Sequence, residues 1–155
     1  MSTSSKSIAG AFEPLLPLVA PEEIPMVVAI LERIAANKYR EWAEQAENNI
    51  ERDGLLACAQ REDEISIFIE SLQADPQSMI ASLRKRIPDF EERYDAVMEG
   101  LSRTEQLQIQ AEGEMGGSGY MSQFAEAAEG AIAARFASLA LLEEANSKFL
   151  SELIR

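Results

Sequence analysis

Between Leu55 and Leu72 the chain places Leu55, Cys58, Glu62, Ile65, Ile69 and Leu72 at successive spacings of three, four, three, four and three. That rhythm lines up one face of a 3.6-residue turn, whereas a half-buried strand alternates every second residue. The same spacing runs through Val28, Leu31, Ala35, Tyr39, Trp42 and Ala46, then through Phe90, Tyr94, Val97 and Leu101, and again through Phe124, Ala128, Ile132, Phe136 and Leu139. It predicts four long helices, over about 21–50, 53–74, 88–115 and 120–153. Asp53 and Gly54 are taken as the opening of the second, and GGSG at 116–119 as the break between the third and fourth, with Gly130 a possible division of the last. ADPQSMIASLRKRIP reads as a longer connection with one short helix after Pro76, closed by Pro88.

No segment alternates like a strand, so the expected class is all-α. Four amphipathic stripes bury together as a bundle, and the longer second-to-third connection permits a crossover topology. Residues 22–155 form that single domain. Residues 1–21, rich in proline around Phe12, Leu15, Leu16, Leu18 and Val19, read as an irregular N-terminal arm, packed either on its own bundle or on a second subunit.

Composition narrows the chemistry. With 27 acidic and 14 basic side chains the net charge is −13, and no basic block exists to neutralise phosphates, so neither nucleic acid nor an anionic membrane is an expected partner. The chain has no histidine and a single cysteine, Cys58. This excludes Ser/His/Asp and Cys/His catalysis, imidazole-ligated metals, CxxC metal sites and an intramolecular disulfide. Cys58 reads as a small buried hydrophobe. No apolar run is long enough to span a membrane, and MSTSSKSIAGAFEP lacks the charged-then-apolar order of a secretory signal, so the expected location is the cytoplasm.

What remains is carboxylate chemistry. Glu62 occupies a core position of the second helix, Glu32 falls on the apolar face of the first, four residues from Val28 and three from Ala35, and Glu143 with Asn146 forms an inward i, i+3 pair on the last. A buried carboxylate must be protonated, hydrogen-bonded or bound to a cation. Tyr39, on the Glu32 face, is either a hydrogen-bond partner or plain core.

These residues resemble the erythrin, or rubrerythrin-like, branch of the ferritin-like superfamily, over roughly residues 28–154. ERIAANKYREWA is similar to the family's ExxAxxxY pattern, with Glu32 at its first ligating glutamate. ACAQREDEISIF is similar to AxxExxH, with Glu62 as the glutamate. AEGEMGGSGYMSQFAEAAEG followed by ARFASLALLEEANSKFL resembles the GE motif, the YxxFA segment and the final ExxH helix, where Glu143 matches the glutamate. Ile65 and Asn146 stand where both ligating histidines would be. Of the two third-helix carboxylates the family carries, only one has a counterpart, Glu114 or, in the other alignment, Glu112.

The resemblance implies a ferritin-like four-helix bundle, self-associating as a homodimer, whose metal site is reduced to Glu32, Glu62, Glu114 and Glu143. Such an all-oxygen set suits iron in its ferric form, Mn²⁺, Mg²⁺ or Ca²⁺. Losing both imidazoles argues against retained enzymatic activity; any catalysis kept would be of the peroxidase or ferroxidase type. The competing expectations are a metal-free descendant serving as a structural or interaction module, and an unrelated helical adaptor.

Overall fold

Capping side chains and two glycines divide the helices. The computed structural model describes residues 6–155, and every regular element among them is helical. The α-helices are α1 (Ile8–Phe12), α2 (Ile24–Glu44), α3 (Asn49–Ser71), α4 (Pro76–Arg86), α5 (Phe90–Met98), α6 (Arg103–Ala127) and α7 (Gly130–Leu153), with 3₁₀ turns at Glu13–Leu18 and Pro21–Glu23. Asn48 starts α3 by accepting from the Glu51 backbone N–H at 2.9 Å, and Asp75 starts α4 by accepting from that of Ser78 at 3.1 Å. Ser102 and Glu105 form a reciprocal capping box at the start of α6. Gly100 and Gly130 have φ of +76° and +59°, a region that only glycine enters cheaply, and each marks a chain reversal.

Several expected boundaries move. The first link lies at 45–48 rather than at Asp53, because Asn48 is the side chain that caps; Gly54 sits inside α3, where its bare Cα faces the Phe149 ring. The expected third helix is two helices, α5 and α6, parted at Gly100. GGSG at 116–119 does not break the chain: α6 runs through it to Ala127, and Tyr120–Ala127 belongs to this helix rather than to the last. The arm is not irregular, since its described part is α1 and a 3₁₀ turn; its first five positions lie outside the described residues.

Helices α2 and α3 form one hairpin, α6 and α7 another, and the two hairpins face each other across a common interior. Residue pairs rise on one helix as they fall on the other both between α2 and α6 (Tyr39 with Glu114, Trp42 with Gln106) and between α3 and α7 (Cys58 with Asn146, Phe68 with Phe136). Both contacts are therefore antiparallel, α3 and α6 run the same way, and the chain crosses the length of the bundle through α4 and α5. Met26, Tyr39, Trp42, Leu55, Ile65, Ile69, Leu139 and Leu150 fill the interior, and Leu83, Ile87, Phe90 and Tyr94 of the crossing segment pack onto it. Each such side chain contributes about 1.5–3 kcal/mol by leaving water. Phe12 and Leu15 of the arm are buried on the same chain, Phe12 stacked on Phe90 at 6.1 Å. Among the described residues no helix is long and apolar enough to cross a membrane.

A Cβ added at Gly116 or Gly119 meets nothing within 4 Å. Because both positions are helix interior, Gly116→Ala and Gly119→Ala should each raise unfolding stability by about 0.5–1 kcal/mol in urea titrations, and unchanged or lower stability in both would contradict a continuous α6.

Candidate metal centre

Glu32 on α2, Glu62 on α3, Glu114 on α6 and Glu143 on α7 all reach the interior where the two hairpins meet, with exposures of 8%, 1%, 2% and 1%. Helical spacing puts them there: Glu32 shares the face of Ala35 and Tyr39, Glu62 that of Cys58 and Ile65, Glu114 that of Gln110 and Ala111, and Glu143 that of Leu139 and Asn146. One carboxylate oxygen each from Glu32, Glu62 and Glu143 lie within 4.8 Å of one another. Glu112, the other third-helix candidate, is exposed and accepts from Gln108 at 3.1 Å.

Glu114 is held apart by donors. Its Oε1 accepts from the Tyr39 hydroxyl at 2.6 Å and from Gln110 Nε2 at 2.7 Å, and Gln110 Oε1 in turn accepts from the Tyr94 hydroxyl. Tyr39 is thus both core and hydrogen-bond donor, with Glu114 as its partner. Asn146 turns its amide nitrogen toward the acids, donating to Glu62 Oε1 at 2.7 Å and more weakly to Glu114 Oε2 at 3.5 Å, while its oxygen accepts from Arg61 at 3.0 Å. Asn146 is therefore a donor that Arg61 orients, and not an oxygen ligand. Arg61 also lies 3.8 Å from Cys58 Sγ, whose thiol burial pushes up to about 12, leaving it un-ionised and inert.

The remaining three acids have less support, with one Asn146 bond to Glu62 Oε1. Among the described residues no lysine or arginine forms an ion pair with any of the four glutamates. Glu143 Oε1 is fully buried and receives no N–H or O–H bond; Glu32 and Glu114, the groups within its reach, are carboxyls that can bond it only by sharing a proton. Gly117 makes room for it, since a Cβ there would stand 2.5 Å from that oxygen. Burial, reinforced by the charge of neighbouring acids, holds the Glu62 and Glu143 carboxyls well above their ordinary range and raises Glu32 to about 7.

The donor set fits a hard cation. One oxygen from each of the three carboxylates lies within 4.8 Å of the others, close enough for a single ion at about 2.0–2.6 Å from each, and a positive ion would supply both the missing counter-charge and the partner for Glu143 Oε1. Ile65, one turn beyond Glu62, is buried and offers no ligand atom. Gln110, Tyr94, Arg61 and Gly117 were not legible as parts of the site, because none is an acid on an apolar stripe and their roles arise only where helices meet. No protein-family model, curated protein or solved structure matches the chain.

The raised carboxyls give the metal-free protein a defined pH response. A folded-state value above the ordinary 4.5 means the folded chain holds protons the unfolded one releases, so the contribution is full below about 4.5 and is lost as pH rises through about 7 for Glu32. With chelator present, the thermal midpoint should fall across this interval, and Glu32→Gln should flatten the fall. A midpoint that rises over the same interval contradicts the assignment.

Proposed function

We propose that the chain is a ferritin-like, rubrerythrin-related protein whose histidine-free carboxylate site binds a hard metal ion and serves iron handling. The observation that carries this reading is the fully buried, donorless Glu143 Oε1 beside Glu32 and Glu62 in a site without a basic group. The antiparallel hairpins joined by a crossing segment, and the ordered sequence patterns around Glu32, Glu62, Glu114 and Glu143, support it.

In this reading Glu32, Glu62 and Glu143 hold the ion, with Glu114 beside them. Tyr39 and Gln110 fix Glu114 so that it does not swing out of the interior. Arg61, acting through Asn146, orients Glu62 and brings positive charge no closer than one amide away. Iron held here would supply one-electron chemistry, whereas Mg²⁺ or Ca²⁺ would supply charge alone. Self-association as a homodimer belongs to the same reading, though the arm does not argue for it, since Phe12 and Leu15 are buried within the chain.

A second reading has its own observation. Glu32 lies within hydrogen-bonding reach of both Glu62 and Glu143, so shared protons could replace the ion and leave a metal-free structural or interaction module. The two separate on metal content. Untagged protein loaded with Fe²⁺ under anaerobic conditions and desalted should retain about one ion per chain, and Glu143→Gln and Glu62→Ala should each retain less than about a tenth of that. Equal retention in wild type and both variants, or none in any, contradicts the metal site. If protons fill the site instead, Glu62→Gln should be neutral or stabilising, because it removes a buried ionisable group.

A further inference from the structure

A chamber of about 140 Å³ opens beside the carboxylates, and its walls differ sharply from its inner end. Ile8, Phe12 and Leu16 of the arm form the roof, Val28 and Leu31 of α2 one wall and Ile109 of α6 the other, while Glu32, Glu62, Glu114 and Glu143 close the inner end. The outer lining reaches the exposed Glu112 and Gly116, so the chamber communicates with the surface.

Three glycines of α6, Gly113, Gly116 and Gly117, form part of its lining. Gly116 lies at the exposed mouth, and Gly117 leaves room for the Glu143 carboxyl at the inner end, where a Cβ would stand 2.5 Å from Oε1. Gly113 also lets the arm approach, since a Cβ there would stand 2.7 Å from Ile8 Cδ1. The roof is fixed at both ends: Lys6 Nζ donates to the Glu99 carbonyl at 2.9 Å, and Arg86 donates to the Leu18 carbonyl at 3.2 Å and pairs with Glu23.

We propose that this chamber binds a neutral apolar small molecule of about the size of benzene or toluene, one end resting against the carboxylate cluster. An apolar cavity of about 150 Å³ lined by leucine, isoleucine and phenylalanine stays dry and takes up benzene, which sets the size class. A charged compound would lose its hydration against a mostly aliphatic and aromatic lining with only scattered polar groups such as Ser7, Gln110 and Tyr94, and the inner acids offer an anion no counter-charge. As the substrate class of the proposed metal site, the assignment rests on that reading. As a binding event it does not need the metal, which keeps the two failures apart.

The test is a toluene titration of metal-free, ¹³C-methyl-labelled protein followed by NMR, with the thermal midpoint measured in parallel. Saturable shifts confined to the methyls of Ile8, Val28, Leu31 and Ile109 are expected, with a rise in midpoint at saturation. Both should vanish in Val28→Phe, which fills the chamber; should that variant not fold, Leu31→Phe at the half-buried rim takes its place. No saturable shift up to the solubility of toluene, or shifts undiminished in the filled variant, overturns the proposal. Saturable binding of n-hexylamine without any of toluene also overturns it, identifying an organic cation as the occupant. In Mn²⁺-loaded protein the bound toluene protons should relax faster than in Mg²⁺-loaded protein. A chain that binds toluene but retains no metal supports the chamber and retires the metal reading, whereas metal retention without toluene binding does the reverse.

Discussion

Four glutamates buried where two helical hairpins meet, with no ion pair to a lysine or arginine among the described residues, constrain the rest of this structure. Leaving an ionised carboxylate in such an interior costs several kcal/mol even after relaxation, and here the acids also repel one another. Each element around them can be understood as managing that cost. Gly117 removes a side chain so that the Glu143 carboxyl has somewhere to lie. Tyr39, Gln110 and, across a longer contact, Asn146 occupy Glu114, and Asn146 occupies one oxygen of Glu62. What is left, the facing oxygens of Glu32, Glu62 and Glu143, is the part that protein donors do not complete.

The hydrogen-bond framework also explains why distant segments are tied together. Tyr94 comes from the crossing segment, Gln110 and Glu114 from α6 and Tyr39 from α2, so one chain of bonds spans three elements through the interior. Arg61 and Asn146 link α3 to α7 on the other side. Removing one member of such a network leaves a buried partner unsatisfied, which costs more than the lost bond itself. The hydrogen bonds around the acids thus add specific ties between helices whose packing the apolar interior already drives.

Much of this is legible in the chain. The three-and-four spacing located the interior faces of α2, α3 and α5 and much of α7, and Glu32, Glu62 and Glu143 stood out as acids on apolar stripes, whereas Glu114 entered only through the family resemblance, with Glu112 as its alternative. Boundaries were less legible, for a physical reason. Asp53–Gly54 and GGSG carry the local chemistry of turns, but tertiary packing overrides it: Gly54 accommodates the Phe149 ring, Gly113 the Ile8 side chain and Gly117 the Glu143 carboxyl. At these three positions glycine answers to a side chain from another element, which no local rule sees. Conversely, Gly100 looks unremarkable in sequence, yet its positive φ, followed by the Ser102 capping box, parts α5 from α6. Asn146 was readable as an inward polar group, while the direction of its amide depends on Arg61, eighty-five positions away.

The central claim is that a cation completes the Glu32, Glu62 and Glu143 oxygens. The most direct measurement is an anomalous difference map from crystals of the untagged chain equilibrated with Mn²⁺. The account predicts a dominant peak among these three carboxylates, within about 2.0–2.6 Å of an oxygen from each, with Gln110 and Tyr39 still bonded to Glu114. Anomalous peaks confined to surface acids, with the three interior carboxyls in contact with one another through short oxygen-to-oxygen hydrogen bonds, would contradict it.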